Sequence, residues 1–147
     1  MSSIRIAKIF HFEMAHALHG YDGKCAHIHG HSYELSVTVL GTPLLDNDNP
    51  KLGMVMDFGD LKRIVNEKVI SELDHAVLLS EESGKVNSET TELLERVVYV
   101  DYQPTCENLL LDMVSKIKPE LPENLELHSL KLVETPTSFA EWFAEDN

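Results

Sequence analysis

His29 and His31 stand one glycine apart in the run CAHIHGH. In an extended chain, residues i and i+2 project to the same side, so two imidazoles spaced this way can grip one ion. Two ligands are too few, and a third must come from elsewhere. His16 is the leading candidate, because it follows Phe10, Phe12 and Met14 on one face of an alternating segment. A histidine at the end of an apolar face needs a polar partner. By pattern alone, a hydrogen-bonded core histidine has equal weight with a ligand, and HxH by itself leaves metal binding the minority reading. His11 falls on the opposite strand face, while His19 and His27 sit in the intervening loop as competitors for the third position. Three histidines with an open fourth position would describe a catalytic zinc rather than a structural one.

Cys25 lies just upstream of the histidine pair. As a fourth ligand it would close the site into a structural one. As a nearby thiol it would serve as a base, since positive charge from a metal ion or from Lys24 favours thiolate. Spacing does not choose between these. Asp74-His75 reads either as a helix end, where histidine suits the dipole, or as a carboxylate that orients an imidazole for proton transfer. Alternation places Glu134 on the face of Leu130 and Leu132. There it either turns out to solvent or binds a ligand with a guanidine-like edge that satisfies both of its oxygens. Thr105 and Glu107 open a helix, as a cap and a charge suited to the positive end. Cys106 reads as packed, and Trp142 and Phe143 as core or subunit-contact residues.

The elements that must position these groups are legible as periodicities. IRIAKIFHFEMAH alternates as a strand, residues 17–30 form a glycine-containing loop, and HSYELSVTVLG alternates again. A turn region, TPLLDNDNPKLG, precedes a short strand expected at GMVMDF. A helix over residues 58–73 follows, capped by Asp57, with an apolar stripe of Leu61, Ile64, Val65, Val69 and Leu73. Residues 80–103 show no clear period beyond a helical turn at TELLERV and the apolar run VVYV. A second helix spans residues 105–117, and LELHSLKLVE and SFAEWF read as closing strands. Strands at both ends with helices between predict an α+β fold: an antiparallel sheet with two helices on one face, in one domain over residues 1–147.

The formal charge of −13 argues against nucleic acid as a partner. No apolar run approaches the roughly 18 residues of a membrane span. The first residues lack a signal-peptide layout, so a cytoplasmic location with reduced thiols is expected.

The segments FEMAHAL, CAHIHGHSYEL, GMVMDFGDLK, LDH, PTCENL and KLVETPTSFAEW together resemble the 6-pyruvoyltetrahydropterin synthase and 6-carboxytetrahydropterin synthase family over most of the chain. The resemblance implies the tunnelling fold, a four-stranded antiparallel sheet with two helices. Its subunits form trimers with a barrel of sheets, stacked into a homohexamer with active sites between subunits. It implies Zn2+ on His16, His29 and His31, with Cys25 as a catalytic thiol outside the ligand set and Asp74 with His75 as a second catalytic pair. Glu134 would anchor a pterin ring in a pocket lined by Thr105 and Glu107. The spacing C-x-x-x-H-G-H and the ending ETPTSFAEW resemble the queuosine-pathway branch. That branch is a zinc-dependent lyase converting 7,8-dihydroneopterin triphosphate to 6-carboxy-5,6,7,8-tetrahydropterin with release of triphosphate and acetaldehyde. The biopterin-pathway branch, 6-pyruvoyltetrahydropterin synthase, is the alternative. From other classes, a non-enzymatic zinc module closed by Cys25 and a zinc hydrolase needing neither Cys25 nor Glu134 remain rivals. Lys24 is expected to help offset the acidity of the chain toward a triphosphate.

Overall fold

The computed structural model describes residues 1–84, 88–94 and 96–147. Two long strands form its spine: β1 (Ile4–His16) and β2 (His29–Gly41), antiparallel along their whole length. The alternation read from sequence becomes two faces. Phe10, Phe12 and Met14 of β1, with Tyr33, Leu35, Val37 and Val39 of β2, are buried on one side. Phe12 and Tyr33 stack with ring centroids 5.0 Å apart. Each fully buried Leu or Val here contributes roughly 1.5–3 kcal/mol of apolar transfer.

After β2 the chain enters a helical stretch of three parts. These are α1 (Phe58–Val65), a π-helical turn (Asn66–Ile70) and α2 (Ser71–Leu73). Asp57 caps α1 by accepting from the Gly59 N–H at 2.7 Å. The helix expected over residues 58–73 is therefore present, widened mid-way by the π turn. β3 (Ala76–Ser80), α3 (Ser88–Leu94), β4 (Val97–Val100), α4 (Cys106–Ile117), β5 (Glu126–Thr135) and β6 (Ser138–Phe143) complete the chain. Thr105 caps α4 by accepting from the Asn108 N–H at 3.2 Å.

The sheet order is β4-β3-β1-β2-β5-β6. The expected four-stranded antiparallel unit is β1-β2-β5-β6, and the stripe of α1 and the π turn packs with α4 on its apolar face. Two expectations need correction. The sheet has six strands and is mixed, because β3 joins β1 in parallel and β4 joins β3 in parallel. GMVMDF is not a strand: residues 53–57 form turns and bends, with Gly53 at φ 82°. The Gly53 N–H donates to the Leu44 carbonyl at 2.8 Å and the Leu44 N–H to the Met54 carbonyl at 3.0 Å, which ties these backbone groups into the turn. The helical turn expected at TELLERV coincides with α3 as far as Leu94; Glu95, like residues 85–87, lies outside the described residues.

The opposite face of β1 and β2 carries His11, Glu13, Ser32 and Glu34, with Ile9 56% exposed. Among the described residues no helix covers this face, and no helix is long and apolar enough to cross a membrane.

Candidate metal centre and ligand cavity

The register of the β1–β2 hairpin assembles the histidines. His16 pairs directly with His29, and Met14 with His31, so three imidazoles meet where the two strands enter their connecting loop. Their ligand atoms lie within 4.8 Å of one another, and among the described residues this group consists of His16, His29 and His31 alone. His11 sits on the far face, 4.0 Å from Glu34, and His19 and His27 are exposed in the loop.

The hydrogen bonds fix the tautomers. His16 Nδ1 lies 2.7 Å from the Pro104 carbonyl and His29 Nδ1 lies 2.7 Å from the His27 carbonyl. A carbonyl only accepts, so each Nδ1 carries the proton and each neutral ring turns an Nε2 lone pair inward. Those two Nε2 atoms are 3.0 Å apart. The Nε2 of His31 is buried with no hydrogen-bond partner. Inward lone pairs crowded together, with one nitrogen orphaned, are repulsive in an empty site and are the donor set a cation requires. The three residues therefore fit a metal ion.

Burial holds the His16 and His31 imidazoles below their ordinary pKa of 6.5, partly offset by the charge of Glu134. The neutral ring is favoured in the fold, whereas the unfolded chain takes up protons near 6.5. This contribution to stability is complete above that value and is lost as pH falls below it toward the lowered native values. The metal-free protein is therefore expected to melt at a lower temperature at about pH 5.5 than at about pH 7.5. Equal melting temperatures across that interval would show that the rings are not held neutral.

A cavity of about 230 Å³ opens beside the histidines, lined by His16, Cys25, Thr105, Cys106, Glu107 and Glu134 among others. Cys25 is half-buried in a short 3-10 turn (Lys24–Ala26) of the hairpin loop, outside the close-packed histidine group. Glu134 occupies a β-bulge: Val133 pairs with Phe139 and Thr135 with Ser138, with a register shift between. A bulge re-aims its extra side chain, and the Glu134 carboxylate stands 3.6 Å from His31 Nε2. Burial pushes the Cys106 thiol up to about 11, consistent with a packed rather than reactive role. Tyr33 is a participant that pattern reading treated only as a strand residue. Its hydroxyl is buried and unpaired beneath the site, and burial together with the Glu134 charge raises its pKa.

Asp74 and His75 are placed elsewhere. The parallel register sets Ala76 opposite Met14, so the pair arrives beside Glu13. Asp74 Oδ1 accepts from the Glu13 N–H at 2.9 Å and lies 2.9 Å from His75 Nδ1. The His75 N–H donates to the Glu13 carbonyl at 2.6 Å, holding His75 at φ 62°. A non-glycine residue in this left-handed region is held there by its surroundings, a feature common at functional sites. His75 opens onto a second cavity of about 350 Å³ with Glu13, Gly30, His31 and Ser32. Within one chain His16, Cys25, Thr105, Glu107 and Glu134 line one cavity, with His29 and His31 grouped around His16, while His75 lines another, which it shares with His31.

Residues 5–145 match the family model described as 6-pyruvoyl tetrahydropterin synthase. The chain is 36% identical over 141 residues to a 6-carboxy-5,6,7,8-tetrahydropterin synthase of Haemophilus influenzae, covering 94% of this chain and 97% of that one. It is 32% identical over 139 residues to the protein of the same name from Synechocystis, covering 95% and 92%. In fold it is similar to the 6-pyruvoyl tetrahydropterin synthase of Caenorhabditis elegans, with a TM-score of 0.71 at 24% identity over 98% of this chain and 97% of that one. That likeness extends to the tunnelling fold itself, and with the match running almost from end to end, the chain belongs to the 6-pyruvoyl tetrahydropterin synthase family.

Proposed function

We propose that the protein is a zinc-dependent 6-carboxytetrahydropterin synthase. It would convert 7,8-dihydroneopterin triphosphate to 6-carboxy-5,6,7,8-tetrahydropterin, releasing triphosphate and acetaldehyde. The observation that carries this reading is the cavity lined by His16, Cys25 and Glu134, with His29 and His31 grouped around that same His16. The relatives named for this reaction favour it over the 6-pyruvoyl branch.

His16, His29 and His31 would hold a zinc ion, which would supply a Lewis acid. The Cys25 thiolate takes a proton from a side-chain carbon. Glu134, re-aimed by its bulge, accepts two parallel N–H bonds from the aminopyrimidine edge of the pterin and sets the register of the side chain. Thr105 and Glu107 line that pocket. Asp74 holds the His75 Nδ1 proton, which leaves Nε2 free to exchange a proton with substrate. Since His75 lines a different cavity from Cys25 of its own chain, a neighbouring subunit would bring the pair to the site. The bare face of β1 and β2 is the surface on which subunits would associate, in trimers stacked as a homohexamer.

The test is mass spectrometry of products formed by zinc-loaded protein from 7,8-dihydroneopterin triphosphate. Carboxytetrahydropterin with acetaldehyde is expected. Pyruvoyltetrahydropterin alone would move the protein to the other branch. No consumption of substrate with zinc bound would overturn both and restore the closed zinc module and the hydrolase as readings.

A further inference from the structure

The loop of residues 17–28 joins β1 to β2 and carries Cys25. It closes on itself through the Leu18 N–H, which donates to the Cys25 carbonyl at 2.9 Å. Its tie to the body of the protein comes from Gln103, in the segment before α4. Gln103 Oε1 accepts from the His19 N–H at 2.9 Å, and Gln103 Nε2 donates to the His19 carbonyl at 2.7 Å. One primary amide thereby satisfies both backbone groups of one loop residue, as a rung of a sheet would. The backbone of Gln103 is itself fixed. Its carbonyl accepts from the Thr105 N–H at 2.8 Å and from Asn108 Nδ2 at 3.0 Å. The next carbonyl, of Pro104, is the one that orients His16.

We propose that Gln103 is a positioning residue for Cys25, clamping the cysteine loop to the same segment that sets the tautomer of His16. The inference rests on the reading of Cys25 as the base. Its content is geometric: the stem of the Cys25 loop, the cap of α4 and the orienting carbonyl of a metal-site histidine are tied through one side chain. The amide is specific for this task. A carboxylate would lose the donor and face the His19 carbonyl with a negative charge, and a leucine of similar volume would leave both groups unmatched.

The experiment compares Gln103→Leu and Gln103→Glu with the parent, each as the full zinc-loaded protein. Four quantities are read: zinc per chain, kcat and KM, the pH profile of Cys25 alkylation by iodoacetamide followed on the Cys25 peptide, and amide exchange at Leu18 and His19. Expected are unchanged zinc, a kcat lower by about tenfold or more, an altered alkylation profile and faster exchange at both amides. Unchanged exchange would overturn the clamp. Faster exchange with kcat and alkylation unaltered would overturn positioning and leave Gln103 a structural tie only. Should one variant fold poorly, the other carries the same comparison. Parent-like turnover by Cys25→Ala would instead overturn the role of Cys25 itself, a failure distinct from that of the clamp because exchange and alkylation are read without turnover.

Discussion

Cys25→Ala is expected to lower kcat by about 10²- to 10⁴-fold while leaving one metal ion per chain, because the proposed function makes the thiol a base and not a ligand. The three imidazoles already bring their ligand atoms within 4.8 Å of one another, with the tautomers of His16 and His29 fixed by the Pro104 and His27 carbonyls. Cys25 borders the cavity from the hairpin loop without belonging to that set. Removing its sulfur costs little packing at a half-buried loop position, so folding should survive. Turnover on 7,8-dihydroneopterin triphosphate and metal analysis of the purified variant check both halves of the claim. Loss of metal together with loss of folding would establish a closed structural site. Metal retained with turnover intact would assign the base to another group, as the hydrolase reading requires.

Much of this arrangement is legible in the sequence, and the parts that are not have physical reasons. Alternation reveals β1, β2 and β5 because each has one buried and one open face, so period two survives in the residue types. It also places His16, His31 and Glu134 on the correct faces. Register is not carried by alternation: that His16 lies opposite His29 follows from how a long hairpin loop closes, and no residue between them announces it. β3 is hidden for the opposite reason. AVLLS is buried at every position, and a short continuous apolar run has no period to read. Its parallel pairing with β1 is a contact between distant segments, so the location of Asp74 and His75 beside Glu13 could not be foreseen either. GMVMDF misled because its apolar residues pack from a turn, a use of hydrophobic side chains that leaves no distinctive pattern. Gln103 is the least legible of all. A lone glutamine between a tyrosine and a proline carries no motif, and its two bonds to His19 exist only once the loop is in place.

The separation of the two cavities has a consequence for assembly. In one chain the Cys25 side of the site is approached from the helical face, while His75 is 76% exposed on the bare face of the sheet. The proposed reaction, which moves protons at two points of one substrate, would draw Cys25 and His75 from different chains. It can use Cys25 of one chain and His75 of another if the exposed strands of successive subunits join. On that proposal catalysis would be coupled to oligomerisation, and dilution below the dissociation constant of the assembly should abolish turnover before it abolishes metal binding.

His29→Ala is expected to weaken metal binding by at least about 100-fold, more than loss of an outer-shell partner costs. His29 is the informative ligand to remove. His16 is only 2% exposed, so its loss would also open a hole in the core, whereas His29 is half-buried at the strand end. The inward lone pairs give the variant a second, opposite signature. In the metal-free parent the His16 and His29 Nε2 atoms crowd at 3.0 Å with no proton between neutral rings, an arrangement that costs stability until a cation arrives. Removing His29 removes that repulsion. The metal-free variant should therefore melt no lower than the metal-free parent, although it has lost a side chain. Zinc at about 100 times the parent dissociation constant should stabilise the parent by about 2.7 kcal/mol and the variant far less. Parallel melts of both proteins, with and without zinc, separate these effects. A variant that melts well below the metal-free parent would mean that His29 is held by packing and hydrogen bonds of its own, and that the histidines were not arranged for an ion.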